Sequence, residues 1–125
     1  MRAITLKREW AWLVAQGHKQ IENRTWATRY RGPLAIHAGK GSDPAASVLC
    51  GRLGIALPEV LPESVLLCVV DLVDIIELSG LDGPRSDPFA VGPWCWMLEN
   101  VRLLDPPIAC GGRQCLWTPP AGLVA

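Results

Sequence analysis

Charged and hydrogen-bonding side chains are concentrated in residues 17–39, which read GHKQIENRTWATRYRGPLAIHAG. Polar groups of both signs are costly to bury unless each one is paired. At this density they lie either on a solvated surface or in a cleft that holds a polar ligand. We favour the cleft, and the side chains concerned are Lys19, Glu22, Arg24, Arg29, Arg31 and His37.

Three of these side chains, Lys19, Glu22 and Arg24, form the centre of the candidate site. A lysine amine that is deprotonated by partial burial can act as a base or as a nucleophile. A carboxylate three residues along the chain can orient that amine, accept from a ligand's amino group or carry a proton to a leaving group. The alternative is an exposed strand edge on which alternating charges prevent strand addition. Spacing alone leaves both interpretations open.

The aromatic composition is unusual, since six tryptophans stand against one tyrosine and one phenylalanine. Trp26 or Trp96 can offer a flat face on which a base stacks, a contact that contributes about 1–3 kcal/mol. The alternative for each tryptophan is packing in the core, which we expect for Trp10 and Trp117. His37 likewise is either a catalyst or a strand histidine with satisfied hydrogen bonds.

The net charge of the chain is zero, but the charge is unevenly distributed. Residues 1–40 hold eight Lys or Arg and two acids, a net charge of +6, whereas residues 41–125 hold four and ten, a net charge of −6. A basic N-terminal third favours an anionic partner such as RNA or a nucleotide, whose phosphates or base acceptors Arg24, Arg31 and Lys40 would contact. The neutral total argues against DNA coating without sequence preference, which depends on many phosphate contacts.

A chain of 125 residues, 50% apolar and 19% charged, fits one globular domain with a modest core. We expect this domain to span residues 1–118 and residues 119–125 to form a loosely held tail. No apolar run reaches the ~20 residues of a membrane helix, and the N-terminus lacks the features of a signal peptide. We therefore expect a cytoplasmic protein without a membrane partner.

The five cysteines predict free thiols, because their number is odd and no secretion signal accompanies them. Cys110 and Cys115 flank a Gly-Gly turn with a spacing that resembles half of a zinc site. No second ligand pair accompanies them in the sequence, and His18 and His37 are far away. We therefore predict neither a metal nor another cofactor, and the sequence does not indicate a protein partner.

The candidate site must be positioned by short strands and two helices. The pattern predicts helices over 9–16 and 44–53, a loop over 78–93, and strands over 3–7, 19–26, 34–38, 65–76, 94–104 and 115–117. The unbroken apolar run within 65–76 marks the central strand. Lys19 is expected at the entry of its strand, where a turn can re-aim it, and His37 is expected to point outward. Together these segments predict an α+β domain, a small curled, barrel-like sheet of about five to six mostly antiparallel strands with two main helices.

The run 17–24 fits G-x-K-x-x-E-x-R, the signature of the ASCH domain (activating-signal-cointegrator homology), which is a relative of the PUA RNA-binding fold. Residues 24–38 resemble the R-x-W-P-T-x-Y-R-G-x-x-x-I-H-A segment of that family, with Ala27 in place of the proline. Residues 3–6 and 10–11 resemble the first strand and helix of the family. Residues 92–98 and 112–117 resemble its closing strands. The chain is similar to this family over most of its length.

The resemblance implies a small β-barrel whose cleft, lined by the signature, receives RNA or a nucleotide. Together with the residue types, it leads us to expect Lys19 and Glu22 as the catalytic residues. We expect ligand contacts from Arg24, Trp26, Tyr30, Arg31, His37, Lys40 and Trp96. Some small ASCH proteins are amidohydrolases that remove the acyl group from N4-acetylcytidine with a lysine at the position of Lys19 and a distant glutamate. The candidates in this chain for the role of that distant glutamate are Asp82, Asp87 and Glu99. A domain that only binds proteins, with its charges on a flat face, is the third possibility.

Overall fold

The computed structural model describes residues 1–80 and 86–124 of the chain. In these residues the elements follow in the order β1 (Arg2–Leu6), α1 (Arg8–Ala15), β2 (Ile21–Arg24), β3 (Gly32–Ala38), α2 (Pro44–Leu53), β4 (Val65–Glu77) and β5 (Trp94–Ala109). A 3-10 turn over Leu78–Gly80 follows β4. None of the helices described is long and apolar enough to cross a membrane.

One five-stranded sheet, in the order β1-β3-β4-β5-β2, forms the framework of the fold. β1 and β3 are parallel, whereas the other three strand pairs are antiparallel. β4 lies in the middle of the sheet, as its unbroken apolar run predicts. The predicted α+β architecture, with a mostly antiparallel sheet and two main helices, is confirmed.

The main core lies between α1 and one face of the sheet. Ile4 of β1 and Ile36 of β3 point to this face, where Val14 of α1 packs in the same cluster. Trp96 of β5 is completely buried in it. Full burial of an aliphatic side chain such as Ile4 or Ile36 contributes about 1.5–3 kcal/mol. Packing on this face also stabilises α1, which is too short to be stable alone.

The opposite face of β1 and β3 is covered by residues 110–117. Ala3 and Ala35 pack there against Trp117, and a single bridge between Ala3 and Trp117 replaces the predicted strand over 115–117. His37 points away from the main core, as strand alternation predicts, yet it is only 2% exposed. The covering segment lies more than 70 residues further along the chain, so the local pattern around His37 does not indicate its burial.

β5 continues to Ala109, beyond the end predicted at Leu104. The prediction stopped the strand because Pro106 and Pro107 follow, and proline cannot donate to a ladder. In the structure the ladder with β4 resumes at Ile108 and Ala109 after a register shift. A bulge therefore carries the strand past its prolines.

α2 begins and ends as the sequence predicts. The side chain of Asp43 accepts a hydrogen bond from the backbone N–H of Ala45, and Pro44 occupies the first turn. Gly54 ends the helix in the left-handed conformation with a φ of 72°. This geometry fixes the start of α2, and with it the carboxylate of Asp43.

Candidate functional site

Lys19 reaches the site through the turn that joins α1 to β2. Gly17 adopts a φ of 82°, and the backbone N–H groups of His18 and Lys19 both donate to the carbonyl of Leu13, at 3.0 and 3.1 Å. Lys19 therefore precedes β2 instead of belonging to it, as predicted for the strand entry. Its ammonium donates to the carbonyl of Ile21.

Glu22 binds two cations with its two oxygens. Its Oε1 lies 2.8 Å from Nζ of Lys19, and its Oε2 lies 2.9 Å from Nη2 of Arg24. The side chains of Lys19, Glu22 and Arg24 are 3%, 11% and 22% exposed. Water therefore screens these contacts less than it screens an ordinary surface ion pair. The three predicted residues form one connected group.

Arg24 also joins the two edge strands of the sheet. Its Nη2 donates to the backbone carbonyl of Thr5 at 2.9 Å, so a side chain of β2 bonds to the main chain of β1. The Nε atom of Arg24 is buried, and no described residue is its hydrogen-bond partner. Arg24 thus serves the architecture of the sheet as well as the charge balance of the site.

The Lys19–Glu22 pair opens into a cleft of about 480 Å³ between α1, β2 and the start of α2. The rings of Trp10 and Phe89 meet edge to face across part of this cleft, with centroids 6.4 Å apart. Nζ of Lys19 lies 5.8 Å from the centroid of the Trp10 ring. The cleft is lined by Trp10, Lys19, Glu22, Asn23, Asp43, Ala45, Leu49, Pro88, Phe89 and Val91.

Asp43 contributes a second carboxylate to the cleft. Its Oδ2 accepts a hydrogen bond from Nε1 of Trp10 at 3.0 Å, and its Oδ1 accepts from the backbone of Ala45. These two bonds, the one from Trp10 first, hold the pKa of Asp43 below its usual range. Asp43 is predictable from the sequence as a helix cap, but its place in the same cleft as Lys19 depends on how α2 meets α1.

Asn23 holds the wall of the cleft that residues 89–92 form. Its Nδ2 donates to the carbonyl of Phe89 at 2.9 Å, while its Oδ1 accepts from the backbone of Val91 and Gly92 at 2.9 and 2.8 Å. All these bonds cross more than 60 residues of sequence. Asn23, Trp10 and Asp43 are thus site residues that sequence reasoning missed.

Comparison with known proteins decides the family. The ASCH domain model matches residues 4–89 of this chain. The chain belongs to the ASCH domain family. It is 33% identical over 81 residues to activating signal cointegrator 1 of Mus musculus, a match that covers 58% of this chain and 14% of the mouse protein.

Solved structures show the same fold. ASCH from Zymomonas mobilis is similar over 95% of this chain and 87% of that chain, with a TM-score of 0.59 and 15% identity. A mutant form of that protein is similar over 95% and 88%, with a TM-score of 0.58 and 15% identity. At this identity the likeness concerns the ASCH fold alone.

The two tryptophans expected to stack on a ligand lie outside the Lys19–Glu22 cleft. Trp96 is completely buried, and its Nε1 donates to the carbonyl of Trp26 at 3.2 Å. The two rings meet edge to face with centroids 4.9 Å apart. Trp96 has no exposed face for a base, because the core surrounds it, whereas Trp26 is half-buried.

Tyr30 and Arg31 hold the turn between β2 and β3 and do not line the cleft. The hydroxyl of Tyr30 donates to the carbonyl of Pro33. Arg31 donates to the carbonyls of Thr28 and Tyr30 at 2.8 and 2.9 Å, and it lies 3.8 Å from a carboxylate oxygen of Asp74. The ASCH segment that contains them is therefore bonded largely to itself.

His37 and Lys40 belong to a different part of the surface. Nε2 of His37 donates to the carbonyl of Cys110 at 2.6 Å, and its Nδ1 lies 3.2 Å from the hydroxyl of Thr5. Lys40 is exposed and lines a second pocket together with His37. The structure therefore separates these two residues from the Lys19–Glu22 cleft.

The acids considered as partners of Lys19 have different positions. Asp82 lies outside the described residues. Asp87 accepts a hydrogen bond from the backbone of Phe89 beside the cleft, whereas Glu99 is exposed on β5 and does not line it. In the part of the chain that the structure describes, no group of three His, Cys, Asp or Glu is arranged to hold a metal.

Proposed function

We propose that this ASCH domain binds RNA or a nucleotide and that the cleft holds a nucleobase. The observation that carries the proposal is the buried Lys19–Glu22 pair, which opens into a concave space of about 480 Å³. Clefts of about 300–1,000 Å³ are typical of small-molecule sites. The space therefore suits a base with its sugar, and a flat protein-binding surface would not need it.

The charge of the cleft favours a base over a phosphate. The carboxylates of Glu22 and Asp43 line the cleft with Lys19, and Glu22 also binds Arg24, so these four groups have no excess positive charge. A phosphate would gain little there, whereas the amino or imino N–H of a base would find acceptors. Each carboxylate oxygen has two acceptor positions, so a ligand can bond without displacing Lys19 or Trp10.

Trp10 and Phe89 give the cleft an aromatic wall. The indole of Trp10 is half-buried and is held by its hydrogen bond to Asp43. A fixed ring loses little entropy when a base packs on it, and such a contact contributes about 1–3 kcal/mol. We therefore assign to Trp10 the stacking role that the sequence suggested for Trp26 or Trp96.

The test is tryptophan fluorescence during titration with nucleosides and short RNAs at low salt. Binding in the cleft should quench the emission, and Trp10→Phe should remove most of the quenching. Trp12→Phe is the matched control, because Trp12 lies on the same helix and is half-buried but does not line the cleft. Absence of quenching with every nucleoside and RNA would rule the proposal out.

A second candidate is an amidohydrolase that acts on an N4-acetylcytidine-type nucleoside. It is favoured by the 2.8 Å contact between Nζ of Lys19 and Oε1 of Glu22 inside the cleft. A neutral Lys19 amine would take a proton from water, and the hydroxide would attack the acyl carbon. The C–N bond would then break as Lys19 or Glu22 returns the proton to the departing amino group. Direct attack by Lys19, or water activated by Glu22, are the alternative routes.

The hydrolase is tested by incubating the protein with N4-acetylcytidine and measuring the release of cytidine and acetate. Lys19→Met should abolish turnover, and Glu22→Gln should reduce it by about 10²-fold or more, as expected for a lost acid–base group. Arg52→Ala, an exposed change outside the cleft, should leave turnover unchanged. Turnover that survived Lys19→Met would exclude the proposed mechanism.

A further inference from the structure

A second pocket, of about 520 Å³, lies where the ends of β1 and β3 meet the loop over residues 111–114, and it carries only positive formal charge. Its cations are Lys40 and Arg113, both exposed. Its lining contains no Asp or Glu, and neither cation is within ion-pair distance of a described carboxylate. The pocket is lined by Thr5, His37, Gly39, Lys40, Ser64, Gly111, Gly112, Arg113 and Gln114.

The loop over residues 111–114 brings backbone N–H groups to the pocket in addition to these two cations. Among the described residues, none of its four backbone N–H groups donates to a protein acceptor. A Cβ on Gly112 would lie 2.7 Å from the ring of His37 and from the hydroxyl of Thr5, so the main chain itself approaches the floor of the pocket. Unpaired backbone N–H groups in a concave surface are a common means of binding anions.

The polar side chains at the floor of the pocket, His37 and Thr5, are held by hydrogen bonds to other residues of the protein. The carbonyl of Cys110 can only accept, so Nε2 of His37 carries a proton. Nδ1 of the ring lies 3.2 Å from the hydroxyl of Thr5, which accepts from Nε1 of Trp117 at 3.2 Å. The floor therefore does not compete for the two cations, which remain available to a ligand.

This pocket and the cleft are close along the chain. Lys40 lines the pocket and Asp43 lines the cleft, and three peptide units span at most about 11 Å. The two sites also differ in charge, since the charges around the cleft are balanced whereas those of the pocket are only positive. A single extended strand of nucleic acid can place a base in the cleft and a phosphate in the basic pocket.

We propose that Lys40, Arg113 and the 111–114 loop form a phosphate-binding pocket for the backbone of an RNA strand whose base occupies the cleft. The proposal rests on the proposed function for the position of the base. The anion site itself rests on the charges and backbone donors of the pocket. It assigns a role to Arg113 and the Gly-Gly loop, for which the sequence analysis considered only the spacing of the flanking Cys110 and Cys115.

The first experiment measures the affinity of a random-sequence RNA of about ten nucleotides by fluorescence anisotropy across a salt series. Each lost phosphate contact should reduce the slope of log K against log salt by about 0.7, which is about fivefold in affinity at 0.1 M salt. Lys40→Ala and Arg113→Ala should each show this loss, and the double variant about 25-fold. Arg52→Ala is the matched control, since Arg52 is exposed on α2 and lines neither site. A double variant that behaves like Arg52→Ala would overturn the proposal.

The second experiment follows backbone amide resonances by NMR while inorganic phosphate is added. The amides of residues 111–114 should shift in a saturable way in the unmodified protein and also in Glu22→Gln. No shift there, or the same shift in the Lys40→Ala/Arg113→Ala double variant, would overturn the anion site. A nucleoside without phosphate should bind the double variant normally. If no nucleoside binds while the phosphate shifts persist, the proposed function fails and the anion site stands.

Discussion

At the level of single residues, the carboxylate of Glu22 is the group on which the site depends. It is the partner of Lys19, whose side chain is only 3% exposed, and it also binds Arg24. Removing one partner of a buried pair leaves an uncompensated charge, which costs more than the pair contributes. The three residues are therefore unequal, because only Glu22 has two partners of opposite charge.

Replacing Glu22 should therefore destabilise the protein more than replacing Lys19. In Glu22→Gln one of the two cations must face the amide N–H₂ group, so we expect the free energy of unfolding to fall by about 3 kcal/mol. In Lys19→Met the carboxylate keeps Arg24, and the loss should be about 1 kcal/mol, the net contribution of one hydrogen bond. Urea unfolding measures both values, with the exposed Glu99→Gln as control at within about 0.5 kcal/mol of the wild type. A larger loss in Lys19→Met would contradict this account.

At the level of elements, the segment over residues 110–117 determines the environment of β1 and β3. It covers the face that would otherwise expose His37 and Thr5, and at Gly112 its main chain leaves no room for a side chain. A side chain at that position would meet the His37 ring and the Thr5 hydroxyl at 2.7 Å. At Gly111, the neighbouring position, a Cβ would meet nothing within 4 Å.

These two adjacent glycines form a natural pair for mutation. Gly112→Ala should lower the free energy of unfolding by about 1–3 kcal/mol, because the loop must lift from the sheet to relieve the contact. Gly111→Ala should change it by less than about 0.5 kcal/mol. Thermal unfolding gives the stabilities, and the ring resonances of His37 show whether the loop has moved. Equal effects of the two substitutions would mean that the loop does not pack tightly here.

The sequence predicts the helices, strands and turns better than it predicts which distant segments pack against them. The Asp43 cap, the turn at Gly17 and the central position of β4 follow from local patterns, and the structure confirms them. The burial of His37 does not follow, because the residues that cover it lie far along the chain. The aromatic wall at Trp10 is missed for the same reason, since it exists only where α1 meets the distant segment that contains Phe89.

At the level of the whole molecule, the fold partly cancels the charge asymmetry of the sequence. Arg8 lies 2.7 Å from Glu63, and Arg31 lies 3.8 Å from Asp74, so acids of the later chain meet cations of the first forty residues. Lys40 has no such partner among the described residues. The positive charge of the N-terminal third is therefore left unpaired only at places such as Lys40 and does not form one continuous basic face.

The stability of the whole molecule should decrease in acid. Hydrogen bonds from Trp10 and Ala45 lower the pKa of Asp43, and those from Asn100 and Arg102 lower the pKa of Asp71. These carboxyls are ionised in the folded protein at pH values where the unfolded chain already binds protons. Their contribution is therefore complete above the unfolded-state pKa values of about 4 and is lost as the pH falls through the lower folded-state values.

Glu9 offers the sharpest test of this acid dependence. Burial by itself raises the pKa of Glu9, but hydrogen bonds from the Ser42 hydroxyl at 2.6 Å and the Asp43 backbone at 2.8 Å outweigh it, and the pKa is lowered. Glutamine can keep both bonds, since the hydroxyl of Ser42 can also accept, but it has no proton to gain. The free energy of unfolding of Glu9→Gln, measured by urea titration from about pH 7 to 2, should therefore fall less steeply below about pH 4 than that of the wild type. Parallel curves would mean that Glu9 is not one of the groups whose protonation unfolds the protein.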